Sequence, residues 1–67
     1  MEVRDININI IGNKCLCYML GRPTSGVITA IEGETIKITF DYPIKWRDDV
    51  FYNSWFSENQ LKLVIIY

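Results

Sequence analysis

A chain of 67 residues has room for one small domain, which buries only about 60% of the surface its unfolded form exposes and so needs a dense core or a partner copy. Two cysteines cannot make a disulfide framework, and the absence of histidine leaves too few good ligands for a zinc site within one chain. A net charge of −1, from seven Lys/Arg against eight Asp/Glu, lacks the basic excess on which nucleic-acid modules depend.

The first element is "DININI". Ile6, Ile8 and Ile10 alternate with Asn7 and Asn9, the period of a half-buried strand. Gly12-Asn13 ends it. "KCLCYML" is the second strand, with Leu16, Tyr18 and Leu20 on one face and Cys15, Cys17 and Met19 on the other. Both faces are largely apolar, which predicts cover on both sides. "GRPTSG" then reads as a turn-rich loop. "VITAIEGETIKITFD" is the clearest element, two β-branched runs around Glu32-Gly33-Glu34, and predicts a hairpin. Ile36, Ile38 and Phe40 point one way, Lys37 and Thr39 the other. Pro43 interrupts pairing because it has no N–H. "IKWRDD" reads as a loop, "DVFYNSWFS" as a strand, and "SENQL" as one helical turn with Ser57 as N-cap. "KLVIIY" closes the chain as a strand that is buried on both faces or paired with another chain. Five or six short strands with frequent turns, and no helical period, predict an all-β fold in the form of a small antiparallel barrel.

The apolar fraction of 49% is high for a domain with so much surface and points to self-association through "DININI" or "KLVIIY". No run of about 18 apolar residues predicts a membrane helix. Acidic Glu2 and Asp5 do not suit a signal peptide, so the expected location is cytoplasmic, with reduced thiols.

The stretch "GVITAIEGETIKITFD…WFSENQLKLV" resembles small SH3-like barrels of the Tudor and KOW kind, as found in short proteins of phages and mobile elements. A Gly-led strand, a tight hairpin, a strand ending in Phe-Asp, a variable loop, an aromatic strand, a single turn and a Leu-x-Leu strand carry the likeness. The matching residues are Gly26, Ile28, Ile31, Phe40, Asp41, Trp55, Phe56, Leu61 and Leu63, within Gly21 to Val64. The resemblance implies a single SH3-like barrel domain over 1–67, with 1–12 as an additional N-terminal strand. KOW relatives that bind RNA are usually basic, whereas only Arg22 stands in the first loop here. The aromatic cage of Tudor-type readers does not align position by position.

Strict alternation puts Val50, Tyr52, Ser54 and Phe56 on one face of the aromatic strand, and Phe51, Asn53, Trp55 and Ser57 on the other. With Phe56 in the core, Phe51 and Trp55 point outward, and Trp46 can join them as anchors of a recognition surface. The alternative is that Trp55 plugs an end of the barrel. Arg47 suits a carboxylate or phosphate, and Asp48 and Asp49 suit a cationic or amide partner. The pair Asp48 and Asp49 could also serve acid–base chemistry or a metal, but adjacent turn carboxylates are more often solvated. Cys15 and Cys17 could give half of a tetrathiolate zinc site across a dimer or a redox pair, while buried cysteines commonly act as small hydrophobes. "GRPTSG" lacks the Lys-Ser/Thr ending and helix of a phosphate loop, which leaves Arg22 and Ser25 as contacts to an anionic partner.

Without histidine, and with no nucleophile beside a base, the chain reads as a non-enzymatic binding module that needs no cofactor or metal. The binding residues are Trp46, Arg47, Asp48, Asp49, Phe51, Trp55 and Arg22. The expected partner is a protein, a host effector if the chain is a phage or mobile-element counter-defence factor. One alternative is a homo-oligomer that sequesters a nucleotide immune signal, stacking its base on the aromatics. Direct RNA or DNA binding ranks below both, because of the acidic pI of about 5.1.

Overall fold

Glycine at position 33 allows the tightest connection in the chain. Its φ of +60° opens a two-residue loop, so that Glu32 pairs with Thr35 and the strands on either side run antiparallel. These are β2 (Arg22–Glu32) and β3 (Thr35–Trp46). The computed structural model describes residues 8–57, 59–60 and 64–66. It adds β1 (Lys14–Met19), β4 (Asp49–Phe56) and β5 (Ile65–Ile66). The fold is all-β, one antiparallel sheet of five strands in the order β4-β3-β2-β1-β5.

Alternation along the strands decides which face is buried. Ile28 on β2, Ile36, Ile38 and Phe40 on β3 and Phe56 on β4 share one core with Cys15, Cys17, Ile10, Val64 and Ile66. Phe56 and Ile66 come from opposite edges of the sheet order, so the sheet wraps until both edges contribute to one interior. Among the described residues no ladder joins β4 to β5, and the wrap stays open. Ser57 begins the turn before β5: Gln60 N–H donates to the Ser57 carbonyl at 2.9 Å, and Gln60 Oε1 accepts from the Ser57 N–H at 3.0 Å. That reciprocal pair is half of a capping box.

Several sequence expectations change. Ile8–Ile10 form a 3-10 turn rather than the end of a strand. The turn continues as Asn13 N–H donates to Ile10 O at 3.1 Å, and Gly12 N–H to Ile28 O at 2.7 Å, which swings the chain into β1. The rest of the "DININI" strand, and Leu61 and Leu63, lie outside the described residues. β1 is covered on its cysteine face only: Tyr18 and Leu20 are exposed and Leu16 is half-buried. β5 likewise buries Val64 and Ile66 around it and exposes Ile65, so cover on both faces is not needed. "GRPTSG" is not a loop; only Leu20 and Gly21 turn, and Arg22 to Gly26 pair with β1. Pro23 fits because it faces Tyr18 in a non-hydrogen-bonded position, two-residue closure having placed the bonds at Met19–Arg22 and Cys17–Thr24. "IKWRDD" is likewise mostly strand, with Arg47 and Asp48 alone at the tip.

The thiols belong to the core. Cys15 Sγ donates to Gly26 O at 3.6 Å and Cys17 Sγ to Thr24 O at 3.5 Å. Burial pushes both pKa values from 9.0 up to about 11, with Asp41 adding to the rise at Cys15. The folded state therefore keeps protons that the unfolded chain loses, and stability falls as pH rises from 9.0 toward about 11. We expect the melting temperature of the wild type to drop across that window more than that of a Cys15→Ala/Cys17→Ala variant. Parallel pH profiles would contradict the assignment.

Candidate functional site

The two long strands at the centre of the sheet do not stay together. β2 and β3 pair from Glu32–Thr35 as far as Gly26–Phe40, and there they part. Beyond that point Arg22 to Ser25 pair with β1 alone, and Ile44 to Trp46 pair with β4 alone. The β1–β2 and β3–β4 hairpins thus splay like a fork. Lys14 Nζ reaches Asp41 Oδ2 at 2.6 Å near its base, an exposed pair that ties β1 to β3.

A bulge produces the divergence. On β3, Phe40 to Pro43 stand against Tyr52 alone on β4, between the Thr39–Asn53 and Ile44–Phe51 pairs. Pro43, which cannot donate to a ladder, sits inside this bulge. The irregularity also reverses the facing of β4. Trp55 lies opposite Lys37 on the outer face, with Lys37 Nζ 5.9 Å from its ring centroid. Phe51 lies opposite Ile44, and Ile44 packs against the core, so Phe51 belongs to the inner side. Trp46, two residues on from Ile44, shares that side with its partner Asp49.

The predicted aromatic cluster is therefore split. Trp46, Phe51 and Trp55 are 48%, 37% and 44% exposed, so none of them is core. Trp46 and Phe51 share one face of the distal hairpin, and Trp55 is on the opposite face of the sheet. Strict alternation would have kept Phe51 and Trp55 together; the bulge is the reason they separate. Arg47 occupies the hairpin tip with its guanidinium 5.8 Å from the Trp46 ring centroid. Asp48 completes the two-residue tip.

The fork encloses a groove of about 630 Å³, within the range of ~300–1,000 Å³ usual for ligand sites. Met19, Leu20, Arg22, Pro23 and Thr24 form one wall; Pro43, Ile44, Lys45 and Trp46 form the other. Arg22 and Trp46 were candidates from the sequence and come together here. Arg47, Asp48, Asp49 and Phe51 adjoin the groove on the same hairpin, and Trp55 does not. Met19, Leu20, Pro23, Pro43 and Ile44 escaped sequence reasoning. Their only signal is Leu-Gly between two apolar runs, a tight-turn pattern obscured by the Pro and Ser that follow.

Backbone strain marks both tips of the fork. Leu20 (φ 53°) and Arg47 (φ 56°) are the two non-glycine residues with positive φ among those described. Leu20-Gly21 has positive φ at both loop positions, the type I′ pattern that favours Asn-Gly. Arg47 takes the position that glycine usually holds in a type II′ turn. A β-carbon costs roughly 1–2 kcal/mol there. Such strain persists where the side chain serves another purpose. We expect Leu20→Asn and Arg47→Gly each to raise stability by about 0.5–1 kcal/mol in denaturant melts. Destabilisation by both substitutions would show that neither tip is strained.

Residues 1–62 match the family described as "Domain of unknown function (DUF7258)". The chain belongs to the DUF7258 family. No curated protein matches it, and no solved structure does. In this DUF7258 member the fork opens between the two hairpins of the wrapped five-stranded sheet.

Proposed function

We propose that this protein is a non-enzymatic binding module, an SH3-like wrapped sheet that engages a protein partner at the fork between its hairpins. The observation that carries this reading is the convergence of an exposed tryptophan, an apolar floor and two cations on one groove. Trp46 supplies the anchor, Met19 and Ile44 the floor, and Arg22 and Lys45 the charge. Arg47, Asp48 and Asp49 form a polar rim that steers approach and restricts choice of partner. Phe51 extends the aromatic surface beside the groove. Trp55, on the outer face, takes no part. On the resemblance to short phage and mobile-element proteins, the partner is a host effector and the role counter-defence.

Native mass spectrometry after exposure to host-cell extract tests this reading. A polypeptide should remain bound at fixed stoichiometry to the wild type and be missing from a folded Trp46→Ala variant. A polypeptide retained equally by both would place the interface elsewhere.

A second reading rests on one specific observation: Arg22, Lys45 and Trp46 line the same groove, a suitable set for a phosphate and a stacked base. It predicts a small ligand on a symmetric oligomer in the same spectrum, with no polypeptide.

A further inference from the structure

The fork has a property that side chains alone do not reveal. Backbone groups in an antiparallel ladder point alternately to one neighbour and the other. Met19 and Arg22 close a two-residue hairpin, so Arg22, Thr24 and Gly26 face β1. Ser25 must then direct its N–H and C=O away from β1, toward the fork, and Pro23 its C=O. Trp46 and Asp49 close the opposing two-residue hairpin in the same way, so Trp46 and Ile44 face β4. Lys45 must direct its N–H and C=O away from β4, again toward the fork. Lys45 has no strand partner on that side among the described residues, whereas the Ser25 carbonyl accepts from Asp41 N–H to close the Gly26–Phe40 pair and leaves the Ser25 N–H open to the fork. The two edges that part at Gly26–Phe40 therefore expose backbone donors and acceptors to the same opening.

The charge of the opening is one-sided. Arg22 and Lys45 line it, and among the described residues no carboxylate does. Asp48 and Asp49 stand at the hairpin tip, outside the lining. Unpaired strand edges recruit an extended chain by main-chain hydrogen bonds, and the pockets beside them select its side chains.

We propose that the fork receives an extended acidic segment of a partner polypeptide. The segment pairs its backbone with the edge at Ser25 or at Lys45. It sets carboxylates against Arg22 and Lys45, and an apolar side chain against Met19, Ile44 and Trp46. This rests on the reading of the groove as a protein-binding site and supplies the chemistry of what binds.

The test uses an alternating Glu/Val heptapeptide and its Lys/Val counterpart, titrated into the full chain and followed by backbone-amide NMR. The Glu/Val peptide should shift the amides of Arg22 to Ser25 and Ile44 to Trp46. It should also slow hydrogen exchange at Ser25 or Lys45, which side-chain docking alone would not do. An Arg22→Glu/Lys45→Glu variant should bind the Glu/Val peptide about 10-fold more weakly and now prefer the Lys/Val peptide. Equal binding of the two peptides by the wild type, or shifts confined to other strands, would overturn the proposal. So would adenosine monophosphate shifting these amides while the Glu/Val peptide does not. If a polypeptide from extract requires Trp46 but the Glu/Val peptide fails to bind, the acidic-strand inference falls and the protein-binding reading stands.

Discussion

Replacing Trp46 by alanine is expected to weaken partner binding by about 30-fold or more, the effect of removing a hot-spot anchor worth roughly 2 kcal/mol. The fold should survive, because nearly half of the Trp46 surface already faces solvent and Trp46 does not belong to the buried core cluster. Trp55→Ala should leave binding unchanged. Trp55 has similar exposure, but it lies over Lys37 on the opposite face of the sheet. The pair of variants thus separates position from mere aromaticity. Titration calorimetry with the purified partner reads the affinities, and circular dichroism verifies the fold. Equal losses for both tryptophans would mean that the outer face binds as well. A molten Trp46→Ala variant would mean that Trp46 is a structural plug.

Gly26→Ala should be strongly disruptive for so small a substitution. A β-carbon at this position would lie 2.7 Å from Ile38 Cγ2 and 2.7 Å from the Thr39 carbonyl oxygen. The first neighbour is a fully buried side chain and the second is strand backbone, so neither can move without disturbing β3. Overpacking of this kind costs roughly 1–3 kcal/mol. For a domain of this size, that lowers the melting temperature by about 4–8 °C per kcal/mol. The position bears on the shape of the fork as well as on stability. Gly26 faces Phe40 in the last pair before β2 and β3 separate, so a clash there widens or shifts the fork. A Gly26→Ala protein that melts within about 1 °C of the wild type would show that the strands are not this close.

Local alternation made much of the fold legible. Ile36, Ile38 and Phe40 could be assigned to the core because strict period-two spacing survives intact across the first half of β3. The hairpin at Gly33 was readable from its glycine, and the turn after Phe56 from Ser57 as N-cap of "SENQL". Alternation failed where a bulge resets it. Nothing in "FDYPIKW" states that Phe40 to Pro43 will stand against a single residue, because the count depends on how β4 pairs. Every inference about which aromatic residues share a face depended on that count. The cysteines were legible as packing because Cys15 and Cys17 share one strand face with no basic residue between them. The fork itself was hidden in "GRPTSG". Composition marks such a stretch as loop, yet Pro23 falls in the one kind of ladder position that asks no N–H of it. The groove thus arises from two hairpins of ordinary sequence that are required to part, a tertiary fact with little local signal.

The claim that the fork is the recognition site is tested most directly by site-specific photo-cross-linking. A benzophenone amino acid would be placed at position 45, on the groove wall, and in separate proteins at positions 34 and 55. Position 34 lies at the far hairpin and position 55 on the outer face. After irradiation in cell extract, position 45 should yield one predominant cross-linked polypeptide, while positions 34 and 55 yield none. A predominant cross-link from position 55 or 34, with position 45 silent, would contradict the account.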